Sequence, residues 1–305
     1  MPRTISIVGA GRVGKTLGKC LYRVGWRIGA VVAQSDAHAK AAVRWIGAGR
    51  PRSRVTGDVF EADVILLATP DDVLGQVAAR LARIGGKAST GRVSGFALAN
   101  PEFKKIVLHT SGALDSSILA PLARLGAATG SLHPMQTFTG RGVPKLNRVI
   151  FAVEGDPAAR RVAQRIARQL GGVPVTIDAN SKAAYHAAGA LVAGHTLALV
   201  EAATRILIRS GFTRRRAIQA VLPLTRQMLD NFERLGPQAA WTGPIARGDY
   251  AVVRAHGKAL RAYPREFQQA YATLALLAGR VVAKDSKATI AGVKCALKNT
   301  NRRLF

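Results

Sequence analysis

Ile5-Ser6-Ile7-Val8-Gly9-Ala10-Gly11-Arg12-Val13-Gly14 is a short apolar run that passes directly into Gly-x-Gly-x-x-Gly. A helical pattern follows at once, Lys15-Thr16-Leu17-Gly18-Lys19-Cys20-Leu21. Glycines at this spacing mean little alone; between a strand and a helix each has a physical reason. Gly9 permits the tight turn, Gly11 lets the backbone approach a pyrophosphate, and Gly14 lets the helix lie close to the strand. The helix start offers free N–H groups and partial positive charge to phosphates. The stretch therefore predicts a dinucleotide site whose turn is Gly9, Ala10, Gly11, Arg12, Val13 and Gly14.

Outward from that turn, strands and helices alternate. Ile28–Ala33 reads as the second parallel strand, and its end selects the cofactor. An acid there suits the ribose hydroxyls of NAD, whereas a small polar or basic residue leaves room for a 2′-phosphate. Gln34 and Ser35 occupy that end, with Asp36 next and Arg12 and Arg44 as nearby cations. The reading is NADP, with NAD as the alternative. Val64–Ala68 is a continuous apolar run of the buried parallel type, followed by Thr69-Pro70-Asp71-Asp72. Ala68, Thr69 and Pro70 sit at the carboxyl end of a strand, where open α/β sheets bind ligands; Asp71 or Asp72 reads as a helix cap. Gly85–Pro101 reads as a loop, Lys105–His109 as a strand, and Ser116–Leu125 as a helix. The polar stretch 128–138 reads as a loop carrying chemistry, then Val149–Val153, Asp156–Leu170 and Val173–Ile177 as strand, helix and strand. The fold class is α/β: an N-terminal doubly wound, mostly parallel Rossmann-type sheet over residues 1–178, followed by an all-α domain over 179–305.

The helical half begins with a long helix, capped by Asn180 or Ser181 and running to about Ser210. Residues 183–200 within it carry no Lys, Arg, Asp or Glu. With its histidines and small residues it reads as a buried helix of a domain core or subunit interface rather than a membrane span. Further helices are read over Thr213–Leu235, Asp249–Ala262 and Pro264–Ala283, with a loosely packed Lys-rich tail. The two cysteines, Cys20 and Cys295, form neither a disulfide framework nor a metal motif, and no charged-then-apolar leader precedes the first strand, so the cytoplasm is the expected compartment. The net charge of +28 is scattered, without a basic tail or interleaved aromatics, so no specific nucleic-acid partner is expected.

Several stretches together resemble one family. They are the first-turn glycines, Thr69-Pro70-Asp71-Asp72, His109-Thr110-Ser111-Gly112-Ala113-Leu114, Ser131-Leu132-His133-Pro134-Met135-Gln136-Thr137-Phe138, Tyr185-His186-Ala187-Ala188 and Thr242-Gly243-Pro244-Ile245-Ala246-Arg247-Gly248-Asp249. The sequence resembles the bacterial Rossmann-like and DUF2520 domain-containing proteins, relatives of pyrroline-5-carboxylate reductase and of F420-dependent NADP oxidoreductases. The resemblance covers nearly the whole chain and implies a Rossmann domain, a helical C-terminal domain and a homodimer formed through the C-terminal helices. One departure stands out: Ala193-Gly194-His195 replaces an expected Ala-Ser-Asn.

The wider superfamily carries a lysine followed four residues later by asparagine on the interdomain helix; here Lys182 is followed by His186. Residues four apart share a helix face, so both can address one substrate. In a hydride transfer to a carbonyl the oxygen needs a proton, and a Lys or His beside it serves as general acid. Lys182, His133 and His186 are the catalytic candidates; His195 falls on the opposite face. Ser111 is placed at the cofactor, and Gly112, Gln136 and Arg247 at the substrate, Arg247 by likeness to the loop through which the reductases bind substrate. The expected activity is an NAD(P)H-dependent reduction of a small C=O or C=N compound at the interdomain cleft, with no metal. The alternative is a non-catalytic NADP-binding sensor or scaffold.

Overall fold

The computed structural model describes residues 4–90 and 103–298, and the chain divides into two compact units, Met1–Ala193 and Gly194–Phe305. The first unit is an eight-stranded sheet. In chain order it comprises β1 Thr4–Val8, α1 Arg12–Arg23, β2 Arg27–Val32, α2 Asp36–Ile46, β3 Arg50–Arg52, β4 Val64–Leu67 and α3 Asp71–Thr90. β5 Ile106–His109, α4 Ala120–Ala123, β6 Ala128–Pro134, β7 Ile150–Gly155, α5 Pro157–Gln169, β8 Val173–Thr176 and α6 Lys182–Ala190 follow. The spatial order is β3-β2-β1-β4-β5-β6-β7-β8, and only the β6–β7 pair is antiparallel.

Both faces of this sheet are covered, which is why the central strands are apolar throughout rather than alternating. Ile5, Val64, Leu66, Leu108 and Leu132 pack against α1 and α5 through Leu17, Leu21, Ala163 and Ile166. Ile65, Leu67 and Val107 point the other way, onto Leu74, Ala78 and Leu81 of α3 and Leu122 of α4. The chain reverses its winding between β1 and β4, and at such a switch point the strand ends splay to leave a crevice.

Three stretches differ from the sequence reading. Residues 85–90 continue α3 instead of starting a loop. Gly85 has a reason to be there: a Cβ on it would come within 3.0 Å of the Phe60 ring. The rest of the expected Gly85–Pro101 loop, from residue 91, lies outside the described residues. Residues 128–134 form β6, because both edges pair, with β5 on one side and β7 on the other. The long helix is capped by Asp178, whose side chain accepts from the Asn180 N–H, in place of Asn180 or Ser181.

After α6 the helix widens into a π turn, Leu191–His195, before α7 Thr196–Arg209. By length and composition the helix Ala179–Arg209 is apolar enough to cross a membrane, yet only 6% of its apolar window is buried. The domain-core form of the expectation is thus corrected, since Val192 is 71% and Leu197 69% exposed, and the subunit-interface form is left.

The second unit continues with α8 Arg214–Leu235, α9 Pro237–Ala240, α10 Tyr250–Ala259, α11 Arg265–Val281 and α12 Ser286–Leu297. Thr213 caps α8, and Arg214 grips Glu201 of α7 through both guanidinium nitrogens. Residues 286–297, expected as a loose tail, bury Val293, Ala296 and Leu297 against Val253, Ala272 and Ala275, so this stretch is a core helix; residues 299–305 lie outside the described residues.

Candidate functional site

The glycine turn behaves as its spacing demands. Gly9 has φ +95°, and a Cβ there would sit 2.6 Å from the Ala68 carbonyl carbon, so β1 and the end of β4 approach as closely as a bare backbone allows. A Cβ on Gly14 would fall 2.2 Å from the Gly9 carbonyl oxygen, which fixes the height of α1 over β1. Gly11, the N-cap of α1, faces open space. That space is a cavity of about 730 Å³ crossing the ends of β1, β2 and β4.

Gly9, Ala10, Gly11, Gln34, Ala68, Thr69 and Pro70 all line this cavity. Arg12, Val13, Gly14 and Ser35 do not. Arg12 lies against the loop at Gly140, where a Cβ would come 3.0 Å from its Cγ. Val13 packs against the core and Gly14 lies under the turn. The Ser35 hydroxyl caps α2 by accepting from the His38 N–H. Neither Asp36 nor Arg44 is part of the wall. The cations that are, Lys15, Arg54 and Arg80 with His38 beside them, escaped the sequence reading. Lys15 was legible as the first-turn residue after the glycines; Arg54 was not, because β3 is a three-residue Arg-Pro-Arg strand without apolar pattern. Two of the lining residues, Thr69 and Trp45, bury a polar atom, Oγ1 and Nε1, that has no hydrogen-bond partner among the described residues. A dinucleotide fits this lining: a bare backbone at a helix start and several cations.

Next to the cavity rim lies a second constellation. Asp71, in the first turn of α3, accepts a 2.9 Å hydrogen bond from the Ser111 hydroxyl. The same hydroxyl accepts from the N–H groups of Ala113 and Leu114, so the Ser111–Gly112 turn is held in place. Gly112 is bare for a reason: a Cβ on it would lie 2.5 Å from His186 Nδ1 and 2.8 Å from His133 Nε2. The two imidazoles meet edge to face, 5.8 Å between centroids. Tyr185, which the sequence reading quoted without assigning, places its hydroxyl 2.9 Å from His133 Nδ1. Burial, then His186 and Lys182, push the His133 pKa down to about 4, and burial pushes the Tyr185 phenol up to about 12. Both are neutral at pH 7. With the phenol donating to Nδ1, we assign the His133 proton to Nε2.

Lys182 lies beneath this turn. It is 1% exposed, and Nζ donates to the Ser111 carbonyl at 2.9 Å and to Ser131 Oγ at 2.8 Å. Burial pushes its pKa down to about 8, against the opposing pull of Glu154, Asp115 and Asp71. Gln136 is exposed, its amide oxygen accepting from the Thr137 N–H. Arg247 is exposed in the second unit, and Asp249 caps α10. Among the described residues, no group of three or more His, Cys, Asp or Glu side chains converges to hold a metal ion.

This geometry agrees with the relationships of the chain. Residues 2–134 match the family model for a Rossmann-like domain, and residues 149–278 match the domain of unknown function DUF2520. The chain is a Rossmann-like and DUF2520 domain-containing protein. The DUF2520 region starts at β7, so it supplies the last two strands of the sheet as well as helices. None of the curated proteins is similar enough to count as a match. Among solved structures, a Bacteroides fragilis protein assigned provisionally to the NADP oxidoreductases is 21% identical, with a TM-score of 0.68 over 95% of this chain and 98% of that one. Protein TM1727 of Thermotoga maritima is 20% identical, with a TM-score of 0.62 over 95% and 98%. A pyrroline-5-carboxylate reductase from Coxiella burnetii is 13% identical, with a TM-score of 0.56 over 99% and 98%. At these identities the likeness is one of fold.

Proposed function

We propose that this DUF2520 protein is an oxidoreductase that uses NADP(H) to reduce a small C=O or C=N compound. One juxtaposition carries the reading: a dinucleotide-sized cavity at the switch point, joined through Asp71 and Ser111 to a turn on which two imidazole nitrogens converge. The solved structures support it by name: one of similar fold, a Plasmodium falciparum pyrroline carboxylate reductase, has NADP bound. Gly9, Ala10, Gly11 and the start of α1 would hold the pyrophosphate, and Arg54 with His38 the 2′-phosphate. The bound cofactor supplies the hydride.

The chain supplies proton and position. When a carbonyl oxygen gains negative charge, the His133 Nε2–H would serve it as a neutral donor, which loses less to desolvation than a buried imidazolium. Tyr185 at Nδ1 keeps that tautomer; as the Nε2 proton leaves, the phenol can pass its own to Nδ1, and the half-exposed phenolate regains one from water. His186 is the second polar group on the substrate. Lys182, buried under the turn, acts on Ser111 instead of touching substrate. The exposed apolar side chains Leu197, Leu224, Leu229 and Phe232 of α7 and α8 suit burial against a second copy of the chain, giving a homodimer. The free thiols of Cys20 and Cys295 suit the cytoplasm.

Calorimetric titration with NADPH and NADH tests the cofactor, and NADPH oxidation over a panel of ketoacids and cyclic imines tests the reaction. We expect micromolar NADPH binding and weaker NADH binding. Absence of binding by either at millimolar concentration refutes the reading. Tight binding without turnover, unchanged in His133→Ala, favours the sensor alternative.

A further inference from the structure

A row of polar groups crosses the sheet beneath the candidate site. His109 of β5 is in register with Ser131 of β6, and Ser131 with Glu154 of β7. All three are buried, Glu154 to 6% exposure, on the face that α3 and α4 cover. Three buried polar residues side by side would destabilise the sheet unless each were satisfied. Glu154 Oε1 accepts from the Ser116 hydroxyl at 2.6 Å, and Oε2 from the Ser116 N–H at 2.9 Å and the Ser131 hydroxyl at 3.4 Å. His109 Nδ1 accepts from the Ser111 N–H, while its Nε2 is the one buried atom of the row with no hydrogen-bond partner among the described residues. Lys182 lies across the row.

The direction of the hydrogen bonds follows from chemistry. An ammonium has no lone pair, so Ser131 Oγ must accept from Lys182 and turn its own proton to Glu154. A hydroxyl bridge thus separates a buried cation from a buried anion. The other charged or titratable groups facing Lys182 are Asp71 at the start of α3, Asp115 ahead of the turn 116–119, His109 and His133. Both imidazoles are neutral at pH 7. Asp71 is exposed and bonded to Ser111, and Asp115 caps the Ser117 N–H, so water screens both more than Glu154. Glu154 is the one carboxylate of the set that is itself buried.

We propose that Glu154 is a positioning residue: through the Ser131 hydroxyl it keeps the buried Lys182 charged, and the ammonium in turn clamps the Ser111–Gly112 turn beneath the imidazole pair. Its bearing on catalysis rests on the oxidoreductase reading; the electrostatic chain does not. The chain is tested by following the titration of Lys182 in protein labelled at lysine 13Cε, the resonance being assigned from its loss in Lys182→Met. In Glu154→Gln, close in shape but uncharged, the proton affinity of Lys182 should fall at least tenfold. In Glu154→Asp part of that loss should be restored, and Ser131→Ala should lower the affinity in the same direction. An unchanged Lys182 titration in folded Glu154→Gln overturns the proposal; should that variant not fold, an unchanged titration in Ser131→Ala does so. NADPH calorimetry on the wild-type protein is the separate check. If it shows no binding, the oxidoreductase reading fails while a shifted lysine titration still stands; if binding is normal and the lysine does not shift, only the role of Glu154 falls.

Discussion

Replacing Gly11 by alanine should separate binding from folding. At φ −72° the backbone of Gly11 is open to any L-residue, and a Cβ there has no atom within 4 Å. Stiffening the unfolded chain adds about 0.4–1 kcal/mol of stability, while alanine is the poorer N-cap by a similar amount. The net change is within about 1 kcal/mol, which moves the melting temperature by no more than about 4 °C. The methyl group, however, occupies the space through which a phosphate reaches the first N–H groups of α1. Losing one hydrogen bond to a charged group costs roughly 1.5–3 kcal/mol, a tenfold or larger rise in the NADPH Kd. Gly14→Ala is the opposite case, because its Cβ would meet the Gly9 carbonyl at 2.2 Å and backbone cannot yield. Overpacking of that kind costs about 1–3 kcal/mol or more. Thermal unfolding and NADPH calorimetry on both variants check the reasoning. A Gly11→Ala protein that binds NADPH as the wild type does, or a Gly14→Ala protein equally stable, would refute it.

The other predictions are these. Arg54→Ser should cut the preference for NADPH over NADH by about ten- to a hundredfold, with NADH binding little changed, if the guanidinium meets a 2′-phosphate. Gly112→Ala should push His133 and His186 apart, lowering turnover while NADPH affinity stays within about twofold. His109 and His133 titrate near 3 and 4 in the folded chain, below the usual 6.5. Between pH 6.5 and those values the unfolded chain takes up protons the folded chain refuses, so stability should fall steadily as pH drops through that window. Lys182, at about 8 rather than 10.5, acts in the same sense: its contribution grows more favourable as pH rises from 8 to 10.5. Denaturant melts of the wild type and of Lys182→Met across pH should show the alkaline part only in the wild type. Phe232→Glu, on the exposed face of α8, should halve the sedimenting mass; a monomeric wild type would overturn the dimer.

What was legible follows from how strongly each residue's role constrains its neighbours. Val64–Leu67 is a strand buried on both faces, so it is apolar without interruption and announces itself. The glycine turn is legible for the same reason, since each glycine answers a contact of less than 3 Å or a ligand-facing opening. β6 was hidden because Thr129, Ser131 and His133 make it look like a loop; their partners, Asp156, Glu154 with Lys182, and Tyr185, come from elsewhere in the chain. β3 was hidden because an edge strand tolerates Pro51 and needs no apolar face. The burial of Lys182 could not be read from a helix rich in alanine, because the groups that satisfy its ammonium, the Ser111 carbonyl and the Ser131 hydroxyl, lie far off in sequence. The widened π turn has no propensity signature at all.

Trp45 gives the cavity an optical property. Of the three tryptophans, Trp26 hydrogen-bonds Gln169 and lies just ahead of β2, and Trp241 belongs to the second unit. Trp45 alone stands on the cavity wall, with the ammonium groups of Lys15 and Lys19 about 5 Å from its ring centre. Occupation of the cavity would therefore change the emission of one indole, in a region rich in positive charge. Reduced nicotinamide absorbs where indole emits, so the protein would report filling of its own site, and Trp45→Phe would be the silent control.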